Sequence, residues 1–380
     1  MSEASESVPR PNAPELVAIR QQISRVMARF GPEYFYQVER ERAFPAEFFE
    51  AMGAQGYFGA LLPEAYGGSN AGPSAASVLI EEVNRAGGDA TTLNAQMAIC
   101  GTLLRDGTDA QRTRYLPGVA TGQIRCLGVA ATEADSGADM RTLKSRARRD
   151  GSDWILDAQK IFISLAEHTR LILLLAQADE GPTVFLLDRE EVGQHIQLSP
   201  IEMIVNRLTT SLFIDSLRVP DSARVGPAGQ GLACLMKGFV PRRILAAAEC
   251  IGNARFLLDR SLDHAKQRVT FGRVIGSNQG VQYPLAQAYA RVEAADLMRW
   301  DALRALQAGE DAGPRSAMAK LLASEACWET ARAALTAFGG WALASDYHIE
   351  RKLRESTVFV FNNMLWSLLA ERVLGLPKAF

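Results

Sequence analysis

The residue types that most often carry chemistry are thinly spread in this chain. Four histidines (His168, His195, His264, His348) stand singly, and five cysteines (Cys100, Cys126, Cys234, Cys250, Cys327) form no C-x-x-C pair. Neither the ligand spacing of a metal site nor a paired redox motif is present. G-x-G-x-x-G, Walker A, H-E-x-x-H and G-x-S-x-G are absent too, which removes the usual nucleotide, metalloprotease and hydrolase readings. What stands out is a series of longer patterns in fixed order. They are ATEADSGAD (Ala131 to Asp139), DAQKIFIS (Asp157 to Ser164), QRVTFGRVIGSNQGVQ (Gln267 to Gln282), FGG (Phe338 to Gly340) and DYHIERKLRES (Asp346 to Ser356).

The elements that must position these patterns fall into three zones. A chain of 380 residues exceeds the roughly 100–200 of one domain, so two or three units are expected. The composition is 48% hydrophobic and 22% charged, with 41 Lys and Arg against 43 Asp and Glu, a net charge of −2. That is an ordinary globular balance with no electrostatic footprint for nucleic acid or an anionic membrane. No apolar run is long enough for a transmembrane span. The first fourteen residues are polar and Pro-rich without an apolar h-region. With the scattered cysteines, this makes a cytoplasmic protein the expectation.

Residues 1–14 are expected to be disordered, and 15–122 to form a helical domain punctuated by turns such as LLPEAYGG. In 123–231 the period changes. DWILDAQKIFIS, RLILLLAQ, TVFLLD and SLFIDSLRVP are short β-rich runs with no helix between them, which predicts an antiparallel sheet or small barrel. Residues 232–380 are helical again, with one stripe at Val281, Leu285, Ala288, Val292 and Ala295. Another runs through Met318, Leu321, Leu322, Trp328, Leu335 and Phe338. The run from Val358 to Leu376 is apolar enough to require burial in a bundle or an oligomer interface.

Taken in order, the five patterns resemble the acyl-CoA dehydrogenase family across nearly the whole chain, and LLPEAYGG and LRVPDSARVGPAGQG look like its connecting segments. The resemblance implies an α+β multi-domain fold: an N-terminal helical domain, a central antiparallel β-domain and a C-terminal four-helix bundle. It also implies a homotetramer or homodimer that holds FAD between the β-domain and the bundle, its adenine half reaching a neighbouring subunit. Thr132 matches the threonine that bonds the flavin ring. Phe162 and Ser164 fall where the family usually has Trp and Thr beside the ring and its N5. A hydroxyl there suits the charge that reduction creates. Arg268, Thr270, Phe271 and Gln279 reproduce the R-x-T-F-x₇-Q pattern that contacts FAD across the subunit interface, and Gly339 and Gly340 belong to the same site. The alternative is that Arg268 and Gln279 cap helices and Phe271 is core. There are departures: Thr336 stands for a glutamine, Ala342 and Ala138 for a glycine and a serine, and Ala134 for a proline.

The family's reaction removes an α-proton from an acyl thioester, and its base is a glutamate. Counting from Arg354 places that position at Asn363, or at Phe359 in a shifted register, and Ser356 through Ala370 contain no acid. The other position the family uses reads Arg242, and an arginine cannot take a proton from carbon. Glu249 lies seven residues on, along the same helix face and roughly 10 Å away. It is either a substitute base or an ordinary solvated or ion-paired helix residue. Arg243 matches an arginine near the mouth for the thioester carrier, or makes a surface ion pair. Asn363 reads as a turn residue or an amide donor, and His348 as a local replacement for a proline. The leading expectation is an FAD-dependent oxidoreductase performing α,β-dehydrogenation on an acyl-CoA or carrier-protein-bound acyl group, with an unassigned electron-transfer partner. The alternatives are a catalytically degenerate partner subunit that completes a homologous chain, or a flavin monooxygenase, oxidase or cyclase on this scaffold. A binding protein without flavin is the remaining class. No metal is expected.

Overall fold

The computed structural model describes residues 11–137, 139 and 142–378. Its helical opening comprises α1 (Pro14–Met27), α2 (Pro32–Arg40), α3 (Ala46–Ala54), α4 (Gly72–Arg85), α5 (Thr91–Asp106) and α6 (Asp109–Thr121). The strands follow as β1 (Gly128–Ala130), β2 (Arg146–Asp150), β3 (Asp153–Ser164), β4 (Leu171–Ala178) and β5 (Gly181–Asp188), then the single turn α7 (Arg189–Val192), β6 (Ile196–Pro200), β7 (Thr209–Pro220) and β8 (Arg224–Val225). Last come α8 (Gly231–Gln267), the hairpin β9 (Val269–Thr270) and β10 (Arg273–Val274), α9 (Gln279–Gln307), α10 (Gly313–Phe338), α11 (Ile349–Thr357) and α12 (Asn363–Arg372). Of the segment expected to be disordered, residues 1–10 lie outside the described residues, and Pro14 already opens α1 with the fixed φ suited to a first helical turn. By Cα packing the chain divides into two compact units. One joins the chain up to Gln37, Ala71–Ala90 and Arg243 onward; the other joins Val38–Asn70 and Thr91–Arg242.

The second of these units holds the sheet, whose strand order is β6-β7-β3-β2-β4-β5-β8 with β1 beside β4. It is antiparallel except at β4. There β1 runs parallel, with Gly128 opposite Ile172, and β2 adds one parallel pair, Arg146 opposite Gln177. The intervening β2–β3 hairpin gives the chain the length a parallel return requires. The continuous apolar run LILLLAQ suits β4's near-complete burial, and the core packs around Trp154, Leu156, Ile172, Phe185 and Leu217. In the helices of this unit α6 begins with a reciprocal capping box between Thr108 and Gln111. The PEAYGG loop closes so tightly that a Cβ on Gly68 would sit 2.0 Å from the Leu62 carbonyl oxygen.

In the helical unit the predicted stripe holds: Leu285, Ala288, Val292 and Ala295 on α9 are buried with Ala247, Ile251 and Ala323 of its neighbours. Leu322 departs from its stripe and is exposed, being a helical step of about 100° from the buried Leu321. The run from Val358 to Leu376 is not buried within the chain. Leu365 packs inward, while Phe361 (82% exposed), Leu374 (69%) and Trp366 (51%) face outward. Glu81 of α4 is clamped by Arg255 and Arg299. Burial pushes its carboxyl up, and the two guanidiniums outweigh that and hold it below the usual range.

Candidate active site

In the sheet unit, the ATEADSG turn is built on a buried charge pair. Glu133 is 4% exposed and Lys160 is fully buried. Lys160 Nζ donates to Glu133 Oε1 at 2.7 Å and to the Ala131 carbonyl at 3.2 Å. The same carboxylate accepts the backbone N–H groups of Lys144 (2.6 Å) and Ser145 (3.1 Å). Burial pushes the carboxyl up, but the Lys160 hydrogen bond and these N–H groups prevail and lower it; burial likewise lowers the Lys160 ammonium. The sequence reading missed both residues. The signal was an acid inside a turn opposite a lysine at an inward position of a strand.

This anchor lays the turn on β3. The Thr132 carbonyl accepts the Ile161 N–H at 3.0 Å, so Thr132 sits beside the bulge where β3 slips register against β7 between Lys160 and Ile163. Bulges re-aim side chains. Phe162, at φ +57°, is thrown out of the sheet and is 55% exposed. Thr132 and Ser164 are half-buried on either side of it in sequence. A left-handed aromatic residue stores strain on the order of 1–3 kcal/mol, and such strain gathers at ligand sites.

The helical unit repeats the pattern. Arg268 follows the last turn of α8, its N–H bonded to the His264 carbonyl at 2.8 Å and its own carbonyl accepting from Ile275 at 2.8 Å. The hairpin β9–β10 then turns on Phe271 and Gly272, at φ +50° and +76°. Both central residues have positive φ, the geometry in which Asn-Gly is favoured. A phenylalanine stands there instead, its side chain fully exposed. Arg268 and Gln279 are exposed too and Thr270 is half-buried. Phe271 is therefore not core, and Gln279 is the first residue of α9 with Asn278 in the capping position. The FGG segment ends α10 beside this hairpin, with Phe338 stacked on His264 at 4.1 Å. Gly339 has φ +61° and ψ −137°, a conformation open essentially to glycine, and a Cβ on Gly339 or Gly340 would meet nothing within 4 Å. Ala342 is fully buried among Phe256, Phe338 and Ile349, so its methyl faces the core and not an exposed cradle. Thr336 folds its hydroxyl back onto the Arg332 carbonyl. Ala134 is exposed; Ala138 lies outside the described residues.

At the two family base positions, Asn363 is the exposed first residue of α12 and Arg242 is half-buried, lying over the Phe239 ring. The neighbouring Asn362 is the structural residue. Its amide donates to Ser324 Oγ at 2.9 Å and its oxygen accepts from Lys320 Nζ at 2.6 Å. Lys320 also holds the Phe359 carbonyl. Glu249 is 5% exposed, which removes the solvated reading, and its charge acts on Lys320, whose ammonium burial has lowered. Arg243 is 9% exposed, and no hydrogen bond or ion pair meets its guanidinium among the described residues. It is not a surface ion pair. Burial, and then Arg372, lower it. His348 is buried and held to about 4, first by burial and then by Arg351 and Arg260, so it is a neutral packing residue. Among the described residues no cluster of three or more His, Cys, Asp or Glu could hold a metal ion, and no helix is long and apolar enough to cross a membrane.

Helices, a mixed eight-stranded sheet and a closing set of long helices define an acyl-CoA dehydrogenase fold. Against solved structures the chain superposes on glutaryl-coenzyme A dehydrogenase in complex with glutaryl-CoA with a TM-score of 0.90 at 27% identity, covering 96% of both chains. The family models for the acyl-CoA dehydrogenase N-terminal, middle and C-terminal domains match residues 13–123, 128–211 and 229–372. Among curated proteins it is 32% identical over 379 residues to acyl-CoA dehydrogenase FadE12 of Mycobacterium tuberculosis, covering 96% of this chain and 97% of that one. It is also 31% identical over 330 residues to the 3-(aryl)acrylate reductase of Clostridium sporogenes, covering 85% of this chain and 87% of that one. The chain belongs to the acyl-CoA dehydrogenase family.

Proposed function

We propose that this chain is an FAD-dependent oxidoreductase that interconverts saturated and α,β-unsaturated acyl thioesters, with dehydrogenation as its working direction. The observation that carries this reading is the pair Phe162 and Phe271. Each, in its own unit, is held at positive φ and left exposed, and an exposed apolar ring is what a flat aromatic group would cover. The hydroxyls of Thr132 and Ser164 are suited to donate hydrogen bonds to the flavin. Arg268 and Gln279, with the bare backbone at Gly339 and Gly340, would hold the pyrophosphate and adenine half of an FAD shared with a neighbouring copy. Bound FAD supplies a two-electron acceptor for the β-hydrogen. The outward apolar residues of the Val358–Leu376 run suit the homotetramer or homodimer in which such sharing occurs.

Arg243 supports the thioester class. A buried guanidinium without a carboxylate, next to a second arginine, calls for an anion, and both CoA and a carrier-protein phosphopantetheine bring phosphate. For the proton we assign Glu249, the buried acid whose charge acts on Lys320. The lysine favours its ionised form, which a base must present.

The test is an anaerobic titration of the flavin-loaded protein with a series of acyl-CoAs and acyl-carrier thioesters, following the flavin band near ~450 nm. Bleaching is expected, and Glu249→Gln should slow it by about 10²–10⁴ at unchanged flavin content. A flavin that no thioester bleaches refutes the reaction. Undiminished bleaching in the variant refutes the base alone. The vacant acids at Asn363 and Arg242 favour one second reading, a catalytically degenerate partner subunit, and then FAD would bind without any bleaching until a complete homologue is added.

A further inference from the structure

A cavity of about 930 Å3 in the sheet unit lies apart from the residues of the proposed flavin and thioester sites. Phe49 of α3, the C-terminal end of α6, Arg125 and the Glu167–Arg170 segment line it. Its walls are close-packed, since a Cβ on Gly53 would sit 2.5 Å from the Thr121 carbonyl oxygen.

Arg125 enters from the segment just before β1. Its backbone carbonyl is fixed by the N–H groups of Arg170 (2.9 Å) and Leu171 (3.0 Å) and by the Thr169 hydroxyl (2.9 Å). Its guanidinium lies 4.4 Å from the Phe44 ring centroid and 5.4 Å from that of Phe49. Aromatic faces hold the cation in place without neutralising it. Among the described residues no carboxylate lies within ion-pair distance of it. Arg189 is in the same position: its Nη1 donates to the carbonyls of Ala166 (2.8 Å), Glu167 (2.9 Å) and Thr169 (3.0 Å), its Nε is buried without a partner, and no acid pairs with it.

The third arginine, Arg170, is already neutralised by a bidentate pair with Asp188 and by Glu190 at 2.7 Å. Glu50 and Glu167, the remaining acids of the lining, are exposed at its rim and stand off both free guanidiniums. His168 stacks on Phe44 at 5.0 Å, and burial keeps it neutral. The wall therefore carries two uncompensated positive charges.

We propose that this cavity binds a phosphate monoester, its dianionic phosphate resting on Arg125 and Arg189 and its organic part filling the rest of the volume. Two charges match a dianion, where a single guanidinium would satisfy a carboxylate. The volume falls within the roughly 300–1,000 Å3 of small-molecule sites and exceeds what phosphate alone would fill.

The test is isothermal titration of phenyl phosphate into the full-length protein saturated with FAD. Binding is expected, weakened at least tenfold by Arg125→Gln and less by Arg125→Lys, which keeps the charge over the rings. Thermal midpoints show that both variants fold. Arg243→Gln, in the proposed thioester site, should leave the affinity unchanged. Absence of binding, or equal binding in Arg125→Gln, overturns the proposal. Loss in Arg243→Gln instead also overturns it, by moving the phosphate to the thioester site and leaving the reading of that site intact.

Discussion

Lys160→Met separates the scaffold of the ATEADSG turn from its chemistry. The substitution keeps the stem of a fully buried side chain and removes the ammonium that binds Glu133 at 2.7 Å and Ala131 at 3.2 Å. Stripping one partner from a buried ion pair costs about 3–5 kcal/mol, most of it for the charge left behind. Glu133 still accepts two backbone N–H groups, from Lys144 and Ser145, so the lower end, about 3 kcal/mol, is expected. The turn also carries Thr132, and on the proposed flavin site loosening it by about 1.4 kcal/mol would weaken FAD tenfold. Denaturant unfolding by tryptophan fluorescence reads the first quantity and flavin fluorescence titration the second. A loss below about 1 kcal/mol with unchanged FAD affinity would show that the pair neither holds the turn nor positions Thr132. Acid supplies a second readout. Glu133 titrates below its ordinary 4.5, so its contribution is complete above that value and is lost as pH falls through the folded one. Glu133→Gln should therefore flatten the acid limb of the stability curve, and an unaltered limb would contradict the ion-pair account.

Two further outcomes follow from the helical unit. On the proposed thioester site, Arg243→Gln would remove a charge-assisted contact worth about 1.5–3 kcal/mol, so KM for a CoA thioester should rise about 10- to 150-fold with kcat preserved; an unmoved KM would mean that the guanidinium serves some other anion. Phe271→Asn places a residue suited to positive φ in the β9–β10 turn and should raise the thermal midpoint of the apo protein by about 2 °C while weakening FAD. Stabilisation without loss of FAD would detach that exposed ring from cofactor binding.

The order of elements was legible because period is written locally. The strands DWILDAQKIFIS and RLILLLAQ and the α9 stripe carry their own alternation. The parallel seating of β1 on β4 was not, because Gly128–Ala130 is three residues long and its partner lies some forty residues away. Burial of single groups was equally out of reach. Glu249 and Arg243 read as ordinary helix-face charges, and their burial depends on which neighbours α8 acquires. The direction of a methyl is a tertiary property as well: Ala342 stands for a glycine in the family pattern, yet its Cβ belongs to the core around Phe338.

The twin asparagines show how far counting along a chain can go. Alignment by spacing arrives at Asn363, and the structure gives that residue an exposed place at the head of α12. One residue earlier, Asn362 turns inward and ties the loop to α10 through Ser324 and Lys320. Lys320 is also the lysine on which the charge of Glu249 acts. Lys320 therefore feels the charge of the acid on α8 while it ties the loop that carries the family's base position to α10. If Lys320 only fastened the loop, Lys320→Met would destabilise the protein without moving the pH profile of flavin reduction. If it sets the charge state of Glu249, the same change raises the carboxyl's pKa, and the pH at which bleaching becomes rapid rises with it.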